Sequence, residues 1–185
     1  LSDFYQNAAD KILQAMNAKL WMPQKGWYAE YKDLLGLQQL HPAAAVWTIY
    51  HAIDEKAANP FQAYQSLRYI DNNIPHIPIK ANGLDRKDLY VLSTTNWQPY
   101  EWSLNNQVLA ESQHTALSYW QGNRAEAAYN ILESSLIESM YLGSSPGNFQ
   151  QLTYSDAIRG ALYRDFVDGI GLAARPLVEV LFGLN

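Results

Sequence analysis

The amino-acid sequence predicts an all-α protein built from αα-hairpins. Apolar residues recur at helical spacing, most clearly at Ala125, Ala128, Tyr129, Leu132, Leu136 and Met140. Proline, asparagine and glycine stand where such segments would begin and end. No segment alternates apolar and polar residues in the manner of a strand. The 185 residues suit a single helical domain spanning the whole chain.

The first half of the chain predicts three helices. Apolar residues on one face predict a helix over residues 3–20, at Phe4, Ala8, Ile12 and Met16. Pro42 predicts the start of a second helix, whose apolar stripe is Val46, Ile49, Tyr50, Ile53 and Ala57. Asn59 and Pro60 predict the cap and first turn of a third helix, which continues to about Asp71. Residues 27–31 and 74–102 lack a helical period and are predicted as extended loops.

The second half predicts three further helical segments. Ser103 is expected to cap a helix that runs to about Gln121 and is ended by Gly122. Asn123 and Glu126 resemble a capping box at the start of the next helix. A final helical region occupies residues 155–182, with an interruption at Pro176. The first of these helices carries a polar stripe, which we interpret as a solvated face: Ser103, Gln107, Glu111, His114 and Ser118.

Composition excludes several functional classes. The net charge is -5 and no Lys/Arg run exceeds a pair, which argues against nucleic-acid binding. No apolar run approaches 18 residues, so no membrane span is predicted. The chain opens without a signal peptide and is expected to be a processed product or a piece of a longer chain. There are no cysteines, and the 4 histidines lack metal-ligand spacing. The dinucleotide-binding motif GxGxxG, the phosphate-binding P-loop, the zinc motif HExxH and the serine-nucleophile motif GxSxG are absent, so neither a cofactor nor a metal is predicted.

Two segments place carboxylates beside aromatic residues. Residues 27–33 read WYAEYKD and residues 96–102 read NWQPYEW. Sugar hydrolysis needs a carboxylic acid that protonates the leaving oxygen and a second carboxylate that activates water or attacks the sugar. Aromatic faces hold the sugar ring. Glu30 and Glu101 are therefore candidate catalytic residues, with Glu111 beside His114 as a third.

Each candidate also has a structural interpretation. Glu30 with Lys32 is typical of a surface ion pair. Glu101 precedes a predicted helix by two residues and could stabilise its N-terminus electrostatically. Asp165 and Asp168 open the last helix, where capping is the favoured role.

Several segments resemble the six-hairpin glycosidase-like superfamily, in particular a branch from gut bacteria that degrade plant polysaccharides. They are residues 96–106 (NWQPYEWSLNN), 140–143 (MYLG), 144–149 (SSPGNF) and 163–171 (YRDFVDGIG). The resemblance covers residues 27–185. It implies an (α/α)6 toroid of twelve helices with its active site in a funnel at one end. Known members are mostly inverting glycoside hydrolases that use two carboxylates.

Because this chain offers about half the helices of such a toroid, the resemblance implies either the C-terminal half of a longer enzyme or an incomplete toroid. In the first case one catalytic carboxylate is expected to lie outside this chain. The C-terminal half would pack on the N-terminal part of its own chain and act on an oligo- or polysaccharide in the periplasm or outside the cell. The candidate catalytic residues stay Glu101, Glu30 and Glu111. The sugar platforms would be Trp27, Trp97 and Trp102.

Two alternatives stay open. A toroid polysaccharide lyase abstracts a proton from a uronic acid residue, and the residues that could serve are Tyr100, His114, Asn105 and Arg159. The acidic net charge argues mildly against an acidic polymer as substrate. A non-catalytic helical domain that binds glycan or packs against a partner domain is the second alternative. An exposed half-core would make such a fragment dimerise or aggregate.

Overall fold

The structure, a computed structural model, describes residues 2–98, 104–142 and 168–184. This part of the chain is mostly helical, which confirms the all-α prediction at that level. The α-helices are α1 (Ser2–Lys19), α2 (Val46–Asp54), α3 (Pro60–Asn73), α4 (Leu109–Gln121), α5 (Ala125–Leu136) and α6 (Asp168–Arg175). Helix α5 continues as a π-helical segment, Ile137–Tyr141, and α6 continues as another, Pro176–Leu181.

Short strands were not predicted, and the sequence interpretation was wrong on this point. Three antiparallel hairpins are present in the described ranges: β1 (Trp21–Met22) with β2 (Trp27–Tyr28), β3 (Tyr31–Lys32) with β4 (Leu40–His41), and β5 (His76–Pro78) with β6 (Tyr90–Leu92). Each strand has two or three residues, too few for an alternating pattern to emerge. The segments predicted as extended loops are therefore partly paired.

The core lies between helices α2 to α5. Val46, Ile49, Tyr50 and Ile53 of α2 are buried as predicted, whereas Ala57 follows the end of that helix. Helix α4 is central, since it contacts α2, α5 and α6. Residues 122–124 alone join α4 to α5, so these two helices form an αα-hairpin of the predicted kind.

Helix α1 has the predicted bounds to within one residue but does not contribute to the core. None of its residues is buried, and Phe4 and Ile12 are 69% and 61% exposed. The helix joins the body at its last turn, where the Asn17 side-chain amide donates to the Ala57 carbonyl oxygen at 3.2 Å. Its predicted apolar face is thus a surface feature of this chain.

The predicted caps have mixed outcomes. Asn59 caps α3 in a reciprocal capping box with Gln62, and Pro60 is the first helical residue, as predicted. Helix α2 begins at Val46 instead of near Pro42, because the Val46 amide is the donor to the Thr94 carbonyl oxygen at 2.9 Å. That bond fixes where the extended chain gives way to the helix.

Two further cap predictions were wrong. Helix α4 begins at Leu109, well after Ser103, which lies outside the described residues. Backbone pairing explains the late start, because the Thr94 amide donates to the Asn106 carbonyl oxygen at 2.8 Å. Asn123 has φ 58° and closes the end of α4, so it cannot cap α5. Gly122 ends α4 as predicted.

Only part of the predicted final helix falls in the described ranges. Helix α6 begins at Asp168 and ends at Arg175, and Pro176 starts the π-helical segment, so the predicted interruption at this proline is confirmed. Residues 155–167, which include Arg159 and Asp165, and the predicted stop at Gly143 lie outside the described residues.

Candidate functional site

A pocket of about 570 Å³ lies beside the β5–β6 hairpin. The described residues that line it are Pro75, Ile77, Ser93, Thr95, Asn96, Gln98, Asn105 and Gln107. None of these carries a formal charge, and most end in an amide or a hydroxyl group. Such groups both donate and accept hydrogen bonds. We call this the amide-lined pocket.

Thr94 holds the two halves of the amide-lined pocket together. Its carbonyl oxygen accepts from the Val46 amide, and its side-chain oxygen accepts from the Asn106 amide at 3.1 Å. These bonds tie residues 93–98 both to the start of α2 and to residues 105–107. The pocket is thereby formed by segments fixed through backbone bonds.

Asn105 supplies an unused acceptor in this pocket. Its side-chain nitrogen donates to the Trp97 carbonyl oxygen at 2.7 Å. Its side-chain oxygen is buried and has no hydrogen-bond partner among the residues of the described ranges. A buried polar atom without a partner is rare and costs about 1–3 kcal/mol. Because the protein covers this oxygen, it can accept from the hydroxyl group of a ligand only after the Asn105 side chain shifts.

Trp97 stands at the junction between this pocket and the start of α2. Its indole nitrogen donates to the Ala43 carbonyl oxygen at 2.8 Å, and its backbone amide donates to the Thr95 hydroxyl at 3.0 Å. Its ring meets that of Trp47 edge to face, with centroids 6.1 Å apart. The residue is half-buried, so the indole is held by the protein and also reaches the surface.

Glu30 anchors the N-terminus of α2. Its carboxylate accepts from the Ala45 amide at 3.0 Å, from the Trp47 indole nitrogen at 2.9 Å and from the Thr48 hydroxyl. The predicted surface pair with Lys32 is therefore wrong, because three nearer donors occupy the carboxylate. An anion at this position is also favoured by the helix dipole.

Trp27 lies in a second pocket of about 250 Å³. Its ring is 4.5 Å from that of Tyr69, and its indole nitrogen donates to the Pro42 carbonyl oxygen at 2.7 Å. Burial and the nearby Glu30 carboxylate raise the pKa of Tyr69 to about 12. The Tyr69 hydroxyl therefore stays protonated at neutral pH and donates to the Ala44 carbonyl oxygen at 2.9 Å.

His114 and Glu111 lie away from both pockets, in a polar cluster between α2, α4 and α6. His114 Nε2 is 2.8 Å from Asp54 Oδ2, and the same carboxylate accepts from Arg175 at 2.8 and 3.1 Å. Gln121 is a further donor to Asp54, at 2.9 Å. Because an ionised carboxylate only accepts, Nε2 must carry the imidazole proton. We call this set the Asp54 cluster.

The predicted solvated face of α4 is therefore wrong. Gln107, His114 and Ser118 are buried at 2%, 7% and 0% exposure. The Tyr50 ring stacks on His114 at a centroid distance of 4.0 Å, and the Tyr50 hydroxyl donates to Glu111. Tyr50 and Asp54 of α2 are the partners of Glu111 and His114, and the Ser118 hydroxyl donates to the His114 carbonyl oxygen within α4.

Electrostatics hold the Asp54 cluster in one charge state at neutral pH. Burial acts to raise the pKa of the Asp54 carboxyl, but hydrogen bonds from Arg175, Gln121 and His114 outweigh it and hold the pKa well below its usual range. Burial lowers the pKa of the His114 imidazole, and its hydrogen bond to Asp54 opposes that shift without cancelling it. The cluster thus contains an ionised carboxylate, a neutral imidazole and a guanidinium.

The free energy of unfolding is expected to decrease as the pH is lowered from 7 to 5, in part through His114. The unfolded chain protonates this imidazole near its ordinary pKa of about 6.5, whereas the folded chain protonates it only at lower pH. The stabilisation that neutral His114 contributes is therefore complete above about pH 6.5 and is lost as the pH falls toward the lower pKa of the folded chain. Urea denaturation at pH 7, 6 and 5 measures how the free energy of unfolding depends on pH.

The variant His114→Gln keeps a hydrogen-bond donor for Asp54 but cannot be protonated in this range. It should therefore show a weaker pH dependence of the free energy of unfolding, and an unchanged pH dependence would contradict this assignment.

The structure brings together only some of the residues predicted to form a site. Asn105 lines the amide-lined pocket and contacts the Trp97 backbone, and Trp27 lies in the second pocket. Glu111 and His114 lie in the Asp54 cluster. Tyr100, Glu101 and Trp102 lie outside the described residues. The sequence analysis did not single out the amides of Asn96, Gln98 and Gln107 as binding groups. The available signal was the amide-rich runs NWQ (residues 96–98) and NNQ (residues 105–107). The sequence analysis also missed Asp54 and Arg175, which lie 121 residues apart along the chain.

No known protein-family model matches the sequence, and no curated protein matches it significantly. The likeness to six-hairpin glycosidases therefore stays a prediction. Across residues 2–98, 104–142 and 168–184, no helix combines the length and apolar character needed to cross a bilayer. The same ranges contain no group of three or more histidine, aspartate or glutamate residues placed to hold a metal ion.

Proposed function

We propose that this chain is part of a carbohydrate-active protein and that the amide-lined pocket binds a neutral sugar residue of its glycan. The observation that carries the proposal is that the described residues of the lining are uncharged and mostly end in amides or hydroxyls, with the buried side-chain oxygen of Asn105 unpartnered within the described ranges. Sugar hydroxyls donate and accept at once, and amide side chains match them in both roles. The volume of about 570 Å³ is in the range of small-molecule sites.

We further propose glycoside hydrolysis as the reaction, within the C-terminal part of an (α/α)6 toroid. Glu101 is the preferred general acid, because it follows Gln98 by three residues and precedes Asn105 by four in the sequence, and both line the pocket. It would protonate the glycosidic oxygen while a second carboxylate activates water. Glu30 is occupied by three donors, so its role in this proposal is to position Trp47 beside Trp97.

A non-catalytic glycan-binding domain is the second candidate. It is favoured by the absence of a carboxylate among the described residues that line the amide-lined pocket. A lyase has less support, because His114 belongs to the Asp54 cluster. Cleavage assays on the full-length protein separate the three functions. Hydrolysis produces new reducing ends, lyase products absorb in the ultraviolet through a new double bond, and a binding domain produces neither.

The double variant Asn96→Ala/Gln98→Ala is expected to weaken binding of a neutral oligosaccharide by about tenfold. Both side chains are exposed at the pocket, and each loses a hydrogen bond worth about 0.5–1.5 kcal/mol. Calorimetric titration with gluco-, xylo-, manno- and galacto-oligosaccharides measures the change on the ligand that binds best.

The matched control is Asn7→Ala/Gln39→Ala, which removes the same two side-chain types from exposed positions on α1 and in the β3–β4 hairpin. This control should bind like the wild type. The proposal fails if none of the four oligosaccharides binds at millimolar concentration. It fails equally if the pocket variant and the control behave alike.

A further inference from the structure

The second pocket is built where the β1–β2 turn approaches α3. The described residues that line it are Lys25, Trp27, Gln65, Arg68, Tyr69, Asn72 and Asn73. Five of these recur at helical spacing on α3 and form one face of that helix. Gly26 permits the close approach, because it has φ +87° and a Cβ there would lie 3.2 Å from Gln65 Cβ. We call this the cationic pocket.

Two positive charges in the cationic pocket are not neutralised. Lys25 Nζ lies 5.7 Å from the centre of the Trp27 ring, and Arg68 is exposed. Within the described part of the chain, neither side chain has a carboxylate partner. The nearby acid Asp71 is already held by Arg124, at 2.6 Å. The pocket is therefore a local positive site in a chain whose net charge is -5.

The chemistry of the lining indicates an anionic group attached to a ring. Arginine presents a planar fork that matches the two oxygens of a carboxylate, and lysine adds a point charge. The Trp27 indole offers an aromatic face, and the amides of Gln65, Asn72 and Asn73 can bond hydroxyl groups. The C-terminal end of α3 disfavours an anion by a few tenths of a kcal/mol. Two nearby cations outweigh that effect.

Tyr69 connects the cationic pocket to the amide-lined pocket. Its ring is part of the lining of the former, and its hydroxyl interacts with the side chain of Asn96, which lines the latter. The chain also passes from one pocket to the other within two residues, from Asn73 to Pro75. The two pockets are therefore neighbours, connected through the buried Tyr69 side chain and by a short stretch of chain.

We propose that the cationic pocket binds the carboxylate of a uronic acid residue, so that the preferred ligand is an acidic glycan with a neutral sugar next to it. This inference rests on the proposed glycan binding at the amide-lined pocket. Arg68 and Lys25 pair with the carboxylate, and the sugar ring lies against Trp27. The smaller volume, about 250 Å³, suits a single sugar residue. The local charge, rather than the acidic net charge, sets the preference for an acidic substrate.

The test compares disaccharides that contain one glucuronic or galacturonic acid and one neutral sugar with the same disaccharides after reduction of the carboxyl group to an alcohol. The wild type should bind at least one acidic form about tenfold more tightly than its reduced form, and added salt should diminish the difference. Arg68→Gln and Lys25→Gln should each remove most of this preference, because each should weaken binding of the acidic form much more than binding of the reduced form. Lys11→Gln, an equal change of charge on α1, should preserve it.

The possible failures are distinguishable. If neither acidic nor reduced forms bind the wild type, the proposed glycan binding fails and this inference fails with it. If both forms bind equally, or the preference survives in Arg68→Gln, glycan binding stands and the acidic preference is overturned. If inorganic phosphate competes as strongly as the acidic disaccharide, the pocket is a general anion site and the assignment to uronic acid is wrong.

Discussion

Replacing Asp54 by alanine is expected to lower the free energy of unfolding by about 3 kcal/mol. The Asp54 and His114 side chains are only 10% and 8% exposed, and the carboxylate also holds Arg175. Removing one partner of a buried charge network leaves the other charges and donors without compensation. Helix α6 should lose its attachment to α2, because Arg175 connects them. Urea denaturation monitored by tryptophan fluorescence measures the change.

The chain offers a matched control for this variant. Asp33 and His41 form another aspartate–histidine pair with the same 2.8 Å separation, but their side chains are 36% and 38% exposed. Asp33→Ala should therefore cost less than about 1 kcal/mol. Equal losses for Asp54→Ala and Asp33→Ala would contradict the buried role of the Asp54 cluster.

Replacing Glu30 by alanine is expected to lower the free energy of unfolding by about 2–3 kcal/mol. The Ala45 amide, the Trp47 indole nitrogen and the Thr48 hydroxyl would lose their shared acceptor. Unpaired donors in a half-buried site each carry a desolvation penalty. Thermal and urea unfolding both report the loss, and the Trp47 fluorescence should change with it.

Glu55→Ala is the control for Glu30→Ala. Glu55 is exposed at the other end of α2, where a negative charge gains nothing from the helix dipole. Its removal should change the stability by less than about 0.5 kcal/mol. If Glu30 were instead a catalytic carboxylate without a structural role, Glu30→Gln would abolish glycan cleavage at unchanged stability, and that result would reverse our assignment.

The sequence predicted elements whose signals are local. Asn59 and Pro60 begin α3 as predicted, and Gln62 completes a capping box that was not predicted. These signals are local because the bonds of a capping box span only three residues. The apolar stripe of α2 was likewise correct from Val46 to Ile53. The strands were missed because a two-residue strand such as Trp27–Tyr28 is defined by its hydrogen bonds to a partner strand. Its own sequence is too short to show a strand pattern.

Properties that depend on distant partners could not be predicted. His114 looked solvated because polar residues usually face water, but Asp54, 60 residues away, satisfies it in the interior. The five α3 residues of the cationic pocket follow a helical spacing that the sequence does display. Their juxtaposition with Lys25 and Trp27 depends on how the β1–β2 turn packs on α3, which no local signal encodes.

The most direct test of the central claim is a nuclear magnetic resonance titration of the chain with the neutral oligosaccharide that binds best. Asparagine and glutamine side chains give separate NH2 signals, so the amide-lined pocket can be observed through its own ligand-binding groups. Binding there predicts saturable shifts of the side-chain signals of Asn96, Gln98 and Asn105, with Asn7 and Gln39 unmoved. Saturable shifts that exclude the pocket amides, or no shifts at millimolar ligand, would contradict the claim that this pocket binds a sugar.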